Sequence, residues 1–226
     1  MQAQPLEKVI VETGEKPDAS IIWLHGLGAD GHDFEPIVPE LGLPDHLAIR
    51  FIFPHAPAIP VSINNGYIMP AWYDFKQTDL GIEHDEKGIS RSAKQIQLLI
   101  EQQEMHGIAP DRIILAGFSQ GGAMAIHCGL RQAEPLAGIM ALSAYLLLPN
   151  QLEDEMKDSA RNVPIFMAHG VDDPVVPCTA GEASRRKLEK AGCRTEWHNY
   201  PMEHHVCPQE IKDIGWWIRE ALKKKG

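Results

Sequence analysis

Ser119 is the central residue of the glycine-flanked segment 117–121. The apolar stretch 113–116 before this segment and the small residues after it predict a strand that turns at once into a helix. Such a turn leaves its central side chain exposed and strained, and the flanking glycines allow neighbouring backbones to come close. Ser119 is therefore a candidate nucleophile, although a glycine-rich turn without chemistry would give the same pattern.

A serine hydroxyl is a weak nucleophile at neutral pH, so it needs a histidine to accept its proton and a carboxylate to orient that histidine. In hydrolases built on such a turn, the acid follows the serine along the chain. The predicted strand Val163–Ala168 leads into a loop with Asp172 and Asp173, where open α/β sheets present functional groups. Asp173 is preferred because Pro174 holds its backbone away from helical geometry, and Asp172 remains an alternative.

The candidate base follows a further predicted strand, Thr195–Tyr200, after which His204 and His205 stand side by side. Adjacent side chains point in different directions on an extended or helical backbone, so only one of the two is expected to face Ser119. His204 is the preferred base. His205 is expected to be a solvated loop histidine.

An ordered set of motifs covers nearly the whole chain, in the segments 23–31, 65–74, 117–122, 169–177 and 200–207. In this order the motifs resemble the phospholipase/carboxylesterase family, which includes acyl-protein thioesterases. The resemblance implies an α/β-hydrolase fold, with a mainly parallel central sheet flanked by helices and no large lid domain. It also implies activity on carboxylic esters or thioesters.

Matched residue by residue, the resemblance assigns the nucleophile to Ser119, the acid to Asp173 and the base to His204. Two backbone amides usually hold the negative charge of the tetrahedral intermediate, one of them from the residue after the nucleophile. Gln120 is that residue, and the resemblance places the second amide at Leu27. The sequence therefore predicts a serine carboxylesterase that works through an acyl-enzyme intermediate.

The glycine-rich loop 26–31 could also be a tight connection without chemistry, or a phosphate cradle of the dinucleotide-binding type. Asp30 and Asp33 would repel a pyrophosphate there, so we expect neither a dinucleotide nor any other cofactor. A metal site can be drawn on the loop 204–207, which holds two histidines and a cysteine. No second cluster of ligands accompanies that loop, so no metal is expected.

The segment from Ile59 to Phe75 is rich in proline, asparagine, glycine and large apolar residues, which predicts a long loop. Long ordered loops are often functional, and the resemblance implies that Trp72 lies near the catalytic centre. Ordinary packing onto the core is the alternative for each apolar residue of the loop. The candidates to line an acyl groove or to meet a lipid surface are Trp72, Tyr67, Met69, Ile68 and Ile63.

The elements that must position these residues alternate along the chain, and continuous apolar runs predict a mainly parallel sheet that is covered on both faces. Apolar residues at helical spacing predict a helix around 89–100 and another that begins at Pro208. The segment 149–162 predicts a surface helix. The predicted strands are Lys8–Glu12, Ser20–Leu24, Ala48–Phe53, Arg112–Gly117, Leu136–Leu142, Val163–Ala168 and Thr195–Tyr200.

The composition predicts one domain over residues 1–226, because a chain that is 44% hydrophobic and 23% charged can bury a substantial core. A formal net charge of -10 disfavours nucleic acid and leaves at most peripheral contact with membranes. No stretch has the character of a membrane span or a signal peptide, and the four cysteines are scattered, so we expect a cytoplasmic protein without disulfides.

Three alternatives for function remain open from the sequence. The first is hydrolysis of small esters, and the second is deacylation of proteins or lysophospholipids with long acyl chains at a membrane surface. The third is a module without catalysis that binds an apolar ligand or a membrane. The expected partners are small-molecule or lipid acyl esters or thioesters, and both acylated proteins and a homodimer remain open.

Overall fold

A computed structural model describes residues 5–76 and 84–223 of the chain. Within these residues, five α-helices accompany the strands: α1 (Glu86–Met105), α2 (Gln120–Gly129), α3 (Leu152–Glu155), α4 (Cys178–Lys190) and α5 (Pro208–Ala221). Short 3-10 helices cover Glu35–Leu41, Ser62–Asn64, Pro110–Arg112 and Asp158–Asn162. The strands are β1 (Lys8–Glu12), β2 (Ala19–Leu24), β3 (Ile49–Pro54), β4 (Ala58–Val61), β5 (Tyr67–Pro70), β6 (Ile113–Phe118), β7 (Gly138–Leu142), β8 (Pro164–Gly170) and β9 (Arg194–Tyr200).

A seven-stranded sheet forms the centre of the fold, with the strands in the order β1-β3-β2-β6-β7-β8-β9. Only the edge strand β1 runs antiparallel to its neighbour, so the predicted mainly parallel sheet is confirmed. All seven predicted strands are present, each with its ends within two residues of the prediction. The carboxyl ends of β2, β6, β8 and β9 therefore meet at one edge of the sheet, where α/β proteins hold their functional groups.

Successive side chains of a strand point to opposite faces of the sheet, and here apolar clusters cover both faces. In β2, Ile22 and Leu24 belong to the apolar cluster that includes residues of α1, α2 and α4. Ile21 and Trp23 belong to the cluster on the other face, which includes residues of α5 and of the 3-10 helix Glu35–Leu41. This double burial explains why the strands are continuous apolar runs in the sequence.

The prediction of a long loop from Ile59 to Phe75 is wrong, because most of this segment is a two-stranded antiparallel hairpin of β4 and β5. The loop between the two strands, residues 62–66, contains the 3-10 helix Ser62–Asn64 and ends with Asn65 and Gly66, whose φ values are 55° and 76°. An Asn-Gly pair between strand-forming residues is a strong hairpin signal, since both positions tolerate positive φ. The prolines and polar residues around the pair concealed this signal.

The prediction of one surface helix over residues 149–162 is also wrong. The segment contains the one-turn α3 and the separate 3-10 helix Asp158–Asn162, and Met156 between them is extended with ψ of 132°. In the part of the chain that the structure describes, no helix combines the length and the apolar character that a membrane span needs.

Candidate active site

Ser119 follows β6 directly and precedes the first residue of α2. Its φ of 53° lies in the left-handed region, which a residue with a side chain adopts only under constraint from its surroundings. A Cβ atom on Gly117 would overlap the backbone of Gly121, and one on Gly121 would overlap the carbonyl group of Leu24. The glycines therefore allow the close backbone contacts that hold Ser119 in this strained turn.

Three predicted side chains meet at the carboxyl edge of the sheet. The His204 Nε2 atom lies 3.0 Å from Ser119 Oγ, and His204 Nδ1 lies 2.6 Å from Asp173 Oδ2. An ionised carboxylate accepts only, so Nδ1 carries the ring proton and Nε2 presents its lone pair to the serine hydroxyl. The two alternatives, Asp172 and His205, are exposed to solvent.

The carboxylate of Asp173 is fully buried, and hydrogen bonds to both of its oxygens hold it in place. Oδ1 accepts hydrogen bonds from the backbone amides of Val175 and Val176, each at 2.8 Å. These two donors, together with His204 on Oδ2, compensate the cost of burying the charge. The acid loop thus holds the carboxylate in one orientation toward the imidazole.

His169 is a second histidine beside this acid, and it was not among the predicted site residues. It is buried, and its Nε2 donates to the Val176 carbonyl at 2.8 Å while lying 3.5 Å from Asp173 Oδ2. Burial lowers the pKa of His169, so the ring is neutral. Its position at the start of the acid motif 169–177 was the available sequence signal.

The two predicted oxyanion-binding residues, Leu27 and Gln120, line one cavity together with Ser119 and His204. Within residues 5–76 and 84–223, neither backbone amide donates a hydrogen bond to another protein atom. A Cβ atom placed on Gly26 would lie 3.5 Å from Ser119 Cβ, so the loop after β2 passes directly beside the serine.

His25 fixes the orientation of the peptide unit between Gly26 and Leu27. Its Nε2 accepts from the Ala56 amide at 3.0 Å, so Nδ1 carries the proton and donates to the Gly26 carbonyl at 2.7 Å. Burial lowers the pKa of His25, which keeps the ring neutral. In a trans peptide the carbonyl and the next N–H point in opposite directions, so the Leu27 amide points away from His25.

Trp72 links the two segments that carry these amides. Its backbone amide donates to Gln120 Oε1 at 2.8 Å, and its indole Nε1 donates to the His25 carbonyl at 2.9 Å. Gln120 Nε2 donates in turn to the Tyr73 carbonyl at 2.9 Å. Since all of these groups are buried, the network holds the loop after β2 and the start of α2 in a fixed relation.

The cavity beside Ser119 has a volume of about 260 Å³. Of the segment Ile59–Phe75, only Phe75 lines this cavity. The apolar wall of the cavity consists of Leu27, Ala29, Phe75, Phe118, Tyr145, Val175 and Val176.

The structure does not bring the five residues predicted to bind substrate into this cavity. Trp72 is fully buried behind Gln120, and Tyr67 and Ile68 are 69% and 63% exposed on β5. Met69 packs near Gly28, and Ile63 is partly buried at the end of the hairpin loop. Among the described residues, no three histidine, cysteine, aspartate or glutamate side chains form a group that could hold a metal ion.

The sheet order, the strained serine after a central strand and the chain of hydrogen bonds from carboxylate through imidazole to hydroxyl define a serine hydrolase of the α/β class. The model of the phospholipase/carboxylesterase family matches residues 6–222. The chain belongs to this family, and the predicted α/β-hydrolase fold and serine esterase class are confirmed.

Individual relatives agree with this assignment. Acyl-protein thioesterase 1 of Gibberella zeae is 37% identical over 234 residues, which cover 100% of both chains. A probable carboxylesterase of Oryza sativa subsp. japonica is 33% identical, over 90% of this chain and 77% of its own. The crystal structure of Arabidopsis thaliana SOBER1 is similar with a TM-score of 0.86 and 32% identity, over 91% of this chain and 99% of that chain.

Proposed function

We propose that this enzyme hydrolyses carboxylic esters and thioesters through an acyl-enzyme on Ser119. The observation that supports this most directly is His204, which bridges Ser119 at 3.0 Å and Asp173 at 2.6 Å. In the first step Ser119 Oγ attacks the carbonyl carbon while His204 Nε2 takes the hydroxyl proton. Asp173 keeps the ring in the required tautomer and stabilises the imidazolium that forms.

The amides of Leu27 and Gln120 are proposed to hold the oxygen that becomes negatively charged in the tetrahedral intermediate. Their unpaired state beside Ser119 supports this role, and one such donor typically contributes about 10²- to 10³-fold to turnover. The imidazolium of His204 then gives its proton to the leaving alcohol or thiol. Water repeats the same sequence on the acyl-enzyme and releases the carboxylic acid.

The dimensions of the cavity favour acyl groups of short or medium length. Its 260 Å³ is slightly below the roughly 300–1,000 Å³ of sites that enclose drug-sized ligands. A second candidate, deacylation of proteins or lysophospholipids, is favoured by the 37% identity to a protein named acyl-protein thioesterase 1. For that function a long acyl chain would extend beyond the cavity past the exposed Val175.

The experiment that separates these candidates is a series of p-nitrophenyl esters from acetyl to palmitoyl, paired with thioesters of the same acyl groups. A maximum of kcat/KM at short or medium esters would support the main proposal, and a maximum at long-chain thioesters would support protein or lipid deacylation. The Ser119→Ala variant provides the background rate. Binding of these compounds without any turnover that depends on Ser119 would instead support a non-catalytic binding module.

We further propose that the enzyme works in the cytoplasm. The support is that all four cysteines are free, as is usual where thiols are kept reduced. Fractionation of cells of the source organism, with an antibody against the chain, tests this location. Recovery in a secreted fraction would contradict it.

A further inference from the structure

One carboxylate in the catalytic cavity has no role in the steps above. Asp33 lines the cavity together with Ser119 and His204, and it forms no ion pair within the described part of the chain. No lysine or arginine of the described residues lines this cavity. Partial desolvation raises the pKa of Asp33, and the charge of Asp30 adds to that rise. The side chain is nevertheless exposed, and such a carboxylate is ionised at neutral pH.

Aromatic contacts connect the segment that contains Asp33 to the side of the cavity where His204 lies. The ring of Phe34, the next residue, lies 5.5 Å from the ring of Phe118, centroid to centroid. Phe118 in turn lies 4.8 Å from the imidazole of His204. A continuous row of rings therefore connects the Asp33 segment to the proposed base.

The opposite side of the cavity is uncharged. The hydroxyl of Tyr145 lies 2.7 Å from the hydroxyl of Tyr73, whose carbonyl accepts from Gln120 Nε2. Tyr145 therefore lines the cavity on the side of the Gln120 network, and Phe75, two residues after Tyr73 in the chain, lines the cavity as well. The cavity thus has an apolar side at Gln120, whereas the side at His204 combines the ring of Phe118 with the carboxylate of Asp33.

In the mechanism proposed above, His204 must give its proton to the leaving oxygen or sulfur, so the leaving group departs on the His204 side. We propose that Asp33 forms a leaving-group subsite, and that this enzyme prefers esters and thioesters whose alcohol or thiol portion carries a positive charge. This inference rests on the proposed function. The apolar side then takes the acyl group, and anionic leaving groups such as phosphate-bearing thiols are disfavoured.

The test uses three butyryl thioesters that differ only in the charge of the leaving thiol. The cationic probe is butyrylthiocholine, the neutral probe is S-butyryl-N-acetylcysteamine, and the anionic probe is S-butyrylmercaptoacetate. The released thiol is measured with a chromogenic disulfide, and kcat/KM is determined at low and at high ionic strength. A unit charge near a partly solvated carboxylate changes the rate by about fivefold in either direction relative to the neutral probe.

For the wild-type enzyme we expect the order cationic, neutral, anionic, with the spread reduced at high salt because exposed charges are screened. Asp33→Asn should bring the three values close together, and Asp33→Lys should reverse the order. A purely structural role of Asp33 would lower all three values without reversing their order. Asp45→Asn is the matched control, since it removes an exposed carboxylate that does not line the cavity.

Equal kcat/KM for the three probes with the wild-type enzyme would overturn the inference. So would a charge preference that survives in Asp33→Lys. Failure to hydrolyse even the neutral probe would count against the proposed function itself, so the two failures are distinguishable. Thermal unfolding of each variant shows that the comparison is made on folded protein.

Discussion

Substitution of His25 can test how the orientation of the Gly26–Leu27 peptide affects turnover. His25 Nδ1 donates to the Gly26 carbonyl, and His25 Nε2 accepts from the Ala56 amide. Asparagine can place an amide nitrogen near the position of Nδ1, whereas glutamine can place an amide oxygen near that of Nε2. His25→Asn therefore keeps the donor to Gly26, and His25→Gln keeps only the acceptor for Ala56.

The size of the effect follows from the contacts that each variant loses. Either substitution removes one buried hydrogen bond and costs about 1–3 kcal/mol in free energy of unfolding. Only His25→Gln releases the peptide that directs the Leu27 amide, and complete loss of one oxyanion donor would cost about 10²- to 10³-fold in kcat. We expect a fall in kcat of about 10- to 100-fold for His25→Gln and of less than about fivefold for His25→Asn.

The assay is steady-state hydrolysis of p-nitrophenyl butyrate, with kcat and KM determined separately and unfolding followed by urea denaturation. The Leu27 amide is proposed to act on charge that develops in the transition state, so the loss should appear in kcat while KM changes little. Equal losses of kcat in the two variants, in proportion to their losses of stability, would refute the orienting role of His25.

Two further predictions concern pH. We expect kcat/KM to fall on acidification, because a protonated His204 cannot accept the Ser119 proton; a flat profile down to about pH 4 would exclude a histidine base. Burial raises the pKa of Glu210 from 4.5 to about 8, so between these pH values the unfolded chain loses this proton while the folded protein keeps it. Stability should therefore fall as the pH rises through this window, and Glu210→Gln should raise the free energy of unfolding by up to about 5 kcal/mol at pH 9 and leave it unchanged at pH 4. Urea denaturation of both proteins tests this, and an identical pH dependence for the two would contradict it.

The strands and the turn at Ser119 could be predicted from the sequence because each depends on residues that are close together in the chain. Buried parallel strands must be apolar on both faces, and the strained turn excludes side chains at Gly117 and Gly121. The order of Ser119, Asp173 and His204 along the chain then follows from the order of the strands that carry them.

The walls of the cavity could not be predicted in the same way. Tyr145 and Phe75 reach the cavity through tertiary packing that no local pattern encodes, and Trp72 is a buried link instead of a lining residue. The hydrogen bonds of His25 and His169 likewise join segments that are distant in sequence or depend on loop conformation. Such contacts are set by the assembled fold and not by periodicity.

The most direct test of the account is the Ser119→Ala variant, measured with a short-chain ester and by mass spectrometry of the enzyme during turnover. The account predicts a loss of kcat on the order of a million-fold with the fold retained, and an acyl adduct on the peptide that contains Ser119 in the wild-type protein only. Normal hydrolysis by folded Ser119→Ala, or an adduct on another residue that forms at the rate of turnover, would contradict it.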